Sequence, residues 1–209
     1  MSKKRKSPEA PEPINFPGAF ELFRPSWQAL KLNLITFLEL ILLPILVSLL
    51  SFVGGHNGNW TFSILSYVVT ILTGPALILT QLKSVAGKQI DFLPAIRESL
   101  PYVWRYLLLL LCIGFVTLVG LVLLIIPGLF MIKRYLLSPY YLMDRDVKVF
   151  EAMRLSAADS KRFGMAIWGI LGVYLLLAVL SLVLIGYILF YVYLCAPAIR
   201  YRQIKEVAA

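Results

Sequence analysis

Glu39, Lys133 and Arg134 are the charged side chains that interrupt long apolar runs of this chain, and they are its strongest candidates for chemistry. A charge at the centre of a bilayer costs about 2.5 to 3.5 kcal/mol on insertion scales, so such residues pair, face a bundle interior or line an ion path. Glu39 lies nine residues beyond Leu30, where the first apolar run begins, or about 13 Å at the helical rise. Lys133 and Arg134 lie about 9 to 11 Å beyond Pro127 in a run of opposite direction, a similar depth. This spacing predicts an intramembrane ion pair of Glu39 with Arg134, with Lys133 as the second choice. Such a pair can act as a clasp between two helices or as part of a path for a small solute, as in a transporter or channel. The scarcity of other polar residues in the flanking runs favours the clasp.

Other reactive groups are sparse. His56, the single histidine, sits in the polar turn Gly54-Gly55-His56-Asn57-Gly58-Asn59, and Cys112 and Cys195 are isolated within apolar stretches. No His, Cys or acidic cluster has metal-ligand spacing, and no Ser/His or Cys/His pairing suggests a nucleophile. Neither catalysis, a metal nor a cofactor is expected. The formal charge of +9 comes without a nucleic-acid-binding signature. Its basic residues flank apolar segments instead, where they meet anionic lipid headgroups.

The elements that carry these residues must be solvated by lipid. With 60% of 209 residues apolar, 15% charged and a mean hydropathy of +0.83, the chain has too little polar surface for a soluble globule. Leu30 to Val53, Trp60 to Leu82 and Trp104 to Ile126 are each long enough to cross a bilayer, which takes about 20 residues. Pro127 to Met143 reads as a fourth span after a Pro127-Gly128 turn. Phe163 to Ile199, 37 residues without a clear polar break, reads as two more with a bend near Ser181 to Gly186.

Charge decides the count. Of 20 Lys and Arg, all but Lys133 and Arg134 fall in the N-terminal tail, alternate connections or the C-terminal tail, and loops rich in Lys and Arg stay cytoplasmic. The expectation is an all-α, polytopic transmembrane helix bundle of six spans, arranged as three hairpins with cytoplasmic interfacial helices. Residues 1–17 read as a disordered basic and Pro-rich cytoplasmic tail, 18–205 as the membrane domain and 206–209 as a C-terminal tail. Both termini are expected in the cytoplasm, with the protein in the inner membrane of a prokaryote.

The cytoplasmic lead-ins to the odd spans resemble one another: Phe20, Arg24, Ser26, Lys31; Phe92, Arg97, Ser99, Arg105; Phe150, Arg154, Ser156, Lys161 with Arg162. Each reads as an amphipathic helix lying at the interface. Arg24, Lys31, Arg97, Arg105, Arg154, Lys161 and Arg162 are the expected contacts to anionic headgroups. The expected function is that of a non-catalytic integral membrane protein that organises anionic lipid or docks a protein partner through this basic collar.

Pro127-Gly128, Arg134, Ser138-Pro139-Tyr140, Asp144, Ala152 with Ser156, and Lys161 follow one another over about forty residues. In this order they resemble a family of small bacterial and archaeal six-span proteins that includes the membrane domain attached to glycerophosphoryl diester phosphodiesterases and several domains of unknown function. Ser138 stands where that family usually has Ala, and a cation adjacent to Arg134 is less typical of it. The resemblance implies a membrane module, not phosphodiesterase activity, which in that family belongs to a separate soluble barrel.

Overall fold

The computed structural model describes residues 16–55, 60–123, 125–180 and 189–208, and all regular structure in them is helical. Phe23–Leu32 (α1), Leu34–Gly55 (α2) and Trp60–Val85 (α3) come first. Phe92–Ser99 (α4), Val103–Leu123 (α5) and Ile125–Tyr135 (α6) follow, then Ser138–Asp144 (α7), Val149–Arg162 (α8), Gly164–Leu180 (α9) and Ala196–Ala208 (α10). Short 3-10 turns at Ala19–Leu22 and Leu100–Tyr102 lead into α1 and α5.

The six-span bundle is corrected by this architecture. Among the described residues only Leu34–Ser51, Ser63–Val85 and Phe92–Gly120 are long and apolar enough to cross a membrane, with a fourth only if α8 and α9 count as one broken span. The expected fourth span breaks at Leu136 and Leu137 into helices of 11 and 7 residues. Eleven residues rise only about 17 Å, well short of a hydrocarbon core of about 30 Å. Tyr140, Tyr141, Leu142 and Met143 of α7 are buried in protein, so the apolar character of this stretch serves an internal core. In the expected fifth span α9 holds 17 residues, and the bend expected at Ser181 to Gly186 lies outside the described residues. The expected sixth span runs into α10, whose Arg200, Arg202 and Lys205 make it cationic.

Two antiparallel pairs remain. In α2 and α3 the Ser48 and Ser66 hydroxyls meet at 2.8 Å. In α5 and α6 a Cβ on Gly120 would stand 3.1 Å from the Gly128 backbone, so the two glycines permit a close approach. Only 17%, 22% and 11% of the three long segments is buried. Ile35, Leu50, Phe115 and Val122 project outward, an apolar exterior that fits lipid and not water. The chain is a membrane-associated helical protein.

The short helices pack at the charged end of this frame. In α1, α4 and α8 one face is buried while Arg24, Arg97 and Arg154 point outward, and Ser26, Ser99 and Ser156 are buried two residues later. Asn33 (φ −128°, ψ 37°) and Phe163 (φ −115°, ψ 34°) break the chain in nearly the same way between a short helix with one buried face and a long apolar one. At Phe163 the resulting bend between α8 and α9 is 101°. The second lead-in instead passes through the 3-10 turn and continues into α5.

Side chains hold this end together. Asn33 donates to the Ser84 hydroxyl (2.8 Å) and the Lys88 carbonyl (3.0 Å) and accepts from the Ile90 amide (2.8 Å), tying the α3–α4 connection to the α1–α2 junction. One core joins Leu109, Leu137, Tyr141, Ile167 and Tyr201, and a second joins Leu22, Phe37, Ile170, Tyr193 and Ile199.

Candidate functional site

Helix α6 stops at Tyr135, and the last four carbonyls of a helix have no partner within it. Two are met by serines one turn apart on α8: the Ser156 hydroxyl donates to the Arg134 carbonyl (2.8 Å) and the Ser160 hydroxyl to the Lys133 carbonyl (3.4 Å). These bonds lay the end of α6 against α8. The adjoining face of α8 carries Phe150, Met153, Arg154, Ala157, Ala158 and Lys161 at helical spacing. With Arg134 and Tyr135 they line an open cleft of about 490 Å3.

The cleft is electrostatically one-sided. Arg134, Arg154 and Lys161 line it and no carboxylate does. The Arg134 guanidinium lies 5.9 Å from the Tyr135 ring centre, and its buried Nε has no hydrogen-bond partner among the described residues. A half-buried guanidinium fork and two exposed cations beside an apolar wall form a surface complementary in charge and polarity to an anionic oxygen group bearing a hydrocarbon part.

Lys133 turns the other way. It is 8% exposed, with its ammonium 5.3 Å from the Phe130 ring and 5.4 Å from the Trp168 ring, an arrangement stabilised by cation–π attraction. Gly164 makes room for it, since a Cβ there would stand 2.9 Å from Lys133 Nζ.

The structure does not join Glu39 to either cation. Helix α2 begins at Leu34, so Glu39 lies five residues in, about 8 Å from its start. It is exposed beside Ile35, Leu38, Leu42, Leu43, Leu46 and Phe92, with no ion pair among the described residues. Helix α2 packs chiefly on α3, whereas α6 packs on α5, α8 and α9. Equal depth along two helices therefore did not bring their side chains to a common face.

Of the expected headgroup contacts, Arg154 and Lys161 come together with Arg134, and the others are dispersed. Arg24 and Arg97 are exposed on α1 and α4. Lys31 lies 5.0 Å over the Trp27 ring, and Arg162 lies 5.0 Å over the Phe163 ring. Arg105 is engaged by Asp146 at 2.7 Å.

Sequence reasoning missed several buried polar groups. Arg200, only 1% exposed, donates to the Pro17 carbonyl (2.9 Å) and to Gln203 (3.0 Å) and lies 5.1 Å over Phe16. Burial lowers its pKa from the usual guanidinium value. Its neighbours Cys195, Ala196 and Ala198 were the available signal, since a cation among small and apolar residues marks a packed helix start. Phe16 and Pro17, placed in the tail, thus contact the protein, whereas the rest of that tail and His56 lie outside the described residues. Tyr140 donates to Gln81 (2.6 Å), Tyr201 to Asp144 (2.8 Å) and Tyr141 to Asp159. Burial, with the bonded carboxylates, raises Tyr141 and Tyr201 well above the usual phenol range.

Among the described residues no group of three or more His, Cys, Asp or Glu could hold a metal ion. The fold and site define a helical membrane-associated protein with buried polar anchors and a basic cleft, and no catalytic motif is evident. No family model, curated protein or solved structure matches the chain.

Proposed function

We propose that this is a non-catalytic integral membrane protein whose basic end binds and organises anionic lipid. The observation that carries this reading is the convergence of Arg134, Arg154 and Lys161 on a cleft without a carboxylate, beside helices with an apolar exterior. Each Lys or Arg held near an anionic surface contributes about 1 kcal/mol of attraction. Lead-in helices with outward Arg24, Arg97 and Arg154 extend the same charge around the collar, where they lie at the interface.

The contact between Arg200 and Pro17 supports both described chain ends lying on one side of the membrane. The abundance of Lys and Arg at that end favours the cytoplasmic side of a prokaryotic inner membrane. The transporter alternative draws no support from Glu39, whose recess is lined by five aliphatic side chains and Phe92.

The test is lipid co-purification from nanodiscs of mixed neutral and anionic lipid, with and without the triple change Arg24→Gln, Arg97→Gln and Arg154→Gln. The wild-type chain is expected to enrich anionic lipid and the variant to lose most of that enrichment. An unchanged lipid profile in a folded variant would remove the basis of the reading.

A further inference from the structure

We infer that the cleft between α6 and α8 holds a single lipid phosphomonoester, a headgroup whose phosphate carries no second ester. The inference rests on the anionic-lipid reading above and narrows it to one site and one ligand class.

Charge balance is the first argument. Arg134, Arg154 and Lys161 face the cleft and no acidic group offsets them there. A phosphodiester brings one negative charge and two free oxygens. A phosphomonoester brings about −1.5 to −2 near neutral pH and three acceptor oxygens, because its second ionisation lies near pH 6. Adjacent cations favour that second ionisation further.

Donor geometry is the second. The carbonyl of Arg134 is held by Ser156, and its Nε is buried out of a ligand's reach without a partner among the described residues, so it is the outer guanidinium nitrogens that face the cleft. The backbone is thereby fixed while the two outer guanidinium nitrogens stay uncommitted among the described residues, and such a pair matches two phosphate oxygens. Arg154 and Lys161 lie seven residues apart, two turns along one face of α8, so they can approach the same group from above.

Shape is the third. A volume of about 490 Å3 exceeds what one phosphate fills and lies in the usual range for small-molecule sites, about 300 to 1,000 Å3. The remaining wall is Tyr135, Phe150, Met153, Ala157 and Ala158, which suits glycerol carbons and the first methylenes of an acyl chain. Phe150 is 75% exposed at one end, where it can enter the acyl region. A soluble phosphomonoester such as glycerol 3-phosphate shares the charge but leaves this apolar wall uncovered.

The experiment uses the full chain in phosphatidylcholine nanodiscs doped with phosphatidate or with phosphatidylglycerol, with bound lipid counted by native mass spectrometry. Phosphatidate is expected to be retained about tenfold or more over phosphatidylglycerol. The double change Arg154→Gln and Lys161→Gln, on exposed side chains, is expected to abolish that preference, and Arg24→Gln with Arg97→Gln to leave it intact. Equal retention of the two anionic lipids would overturn the monoester assignment while leaving the general reading standing. No preference for either over phosphatidylcholine would overturn both. A preference that survives the Arg154 and Lys161 changes would overturn the location, and full displacement by equimolar glycerol 3-phosphate would make the ligand a soluble ester.

Discussion

The Ser156 hydroxyl donates to the Arg134 carbonyl across 2.8 Å, and this bond couples the end of α6 to the middle of α8. Both groups are needed where they are. The carbonyl belongs to the last turn of a helix that stops one residue later, and Ser156 is fully buried against it. The pair explains how Arg134 comes to stand over the cationic face of α8.

Replacing Ser156 with Ala is therefore expected to cost about 0.5 to 2 kcal/mol, because it leaves a part-buried carbonyl unpaired. It is also expected to weaken anionic-lipid retention, although Ser156 carries no charge. Ser160→Ala, which removes a longer bond of 3.4 Å, should cost less. Thermal unfolding in detergent orders the two variants. An Ser156→Ala protein as stable as the wild type would show that the hydroxyl is not what holds α6 to α8.

Asn33 makes three hydrogen bonds to Ser84, Lys88 and Ile90. Asn33→Ala is expected to lose roughly 2 to 4 kcal/mol in total and to release the segment between α3 and α4. Limited trypsin digestion is the direct readout, with cleavage at Lys88 faster in the variant. Asn33→Asp should retain part of the structure, since its carboxylate still accepts from the Ile90 amide. If cleavage at Lys88 is no faster after Asn33→Ala, the side chain is not the tether.

Much of this arrangement was legible in the residues. Hydropathy located the three long helices. The Arg-x-Ser spacing also marked three short helices in which the serine is buried and the arginine exposed. Three things were hidden for physical reasons. Hydropathy does not distinguish a side chain facing lipid from one facing protein, so the stretch through Tyr140 and Leu142 read as a span although it fills a core. Depth along a helix sets height but not direction, so Glu39 and Arg134 read as partners although α2 and α6 pack on different neighbours. Arg200 escaped because a C-terminal cation reads as solvated unless its burial is known.

Lys133 tests whether its buried charge matters in itself. Its ammonium has Phe130 and Trp168 beside it and, among the described residues, no carboxylate in an ion pair. Lys133→Met keeps the stem and removes the charge, trading a cation–π attraction of about 0.5 to 2 kcal/mol against relief of a larger desolvation penalty. The Met variant is expected to be as stable as the wild type or more stable by about 1 to 4 kcal/mol. Lys133→Ala should cost about 1 to 3 kcal/mol through lost packing. A Met variant destabilised as much as the Ala variant would show instead that the charge is essential to the fold.

Tyr141 and Tyr201 give the fold an alkaline limit. Both hydroxyls donate to carboxylates, Asp159 and Asp144, and burial together with those acceptors raises both pKa values above the ordinary 10.0. The folded chain therefore holds these protons more tightly than the unfolded chain does. For a group raised on folding, the associated stability is fully present below the unfolded pKa and is lost as pH rises from there toward the folded value. Thermal midpoints in detergent are thus expected to show no loss from these phenols up to about pH 9 and to fall progressively above about pH 10. The double change Tyr141→Phe and Tyr201→Phe should lower the neutral-pH midpoint, since two hydrogen bonds to carboxylates are worth about 1.5 to 3 kcal/mol each. It should also flatten the alkaline decline, because the groups that ionise are gone. An alkaline decline of the same slope in the double variant would assign it to other groups and leave the two tyrosines as packing alone.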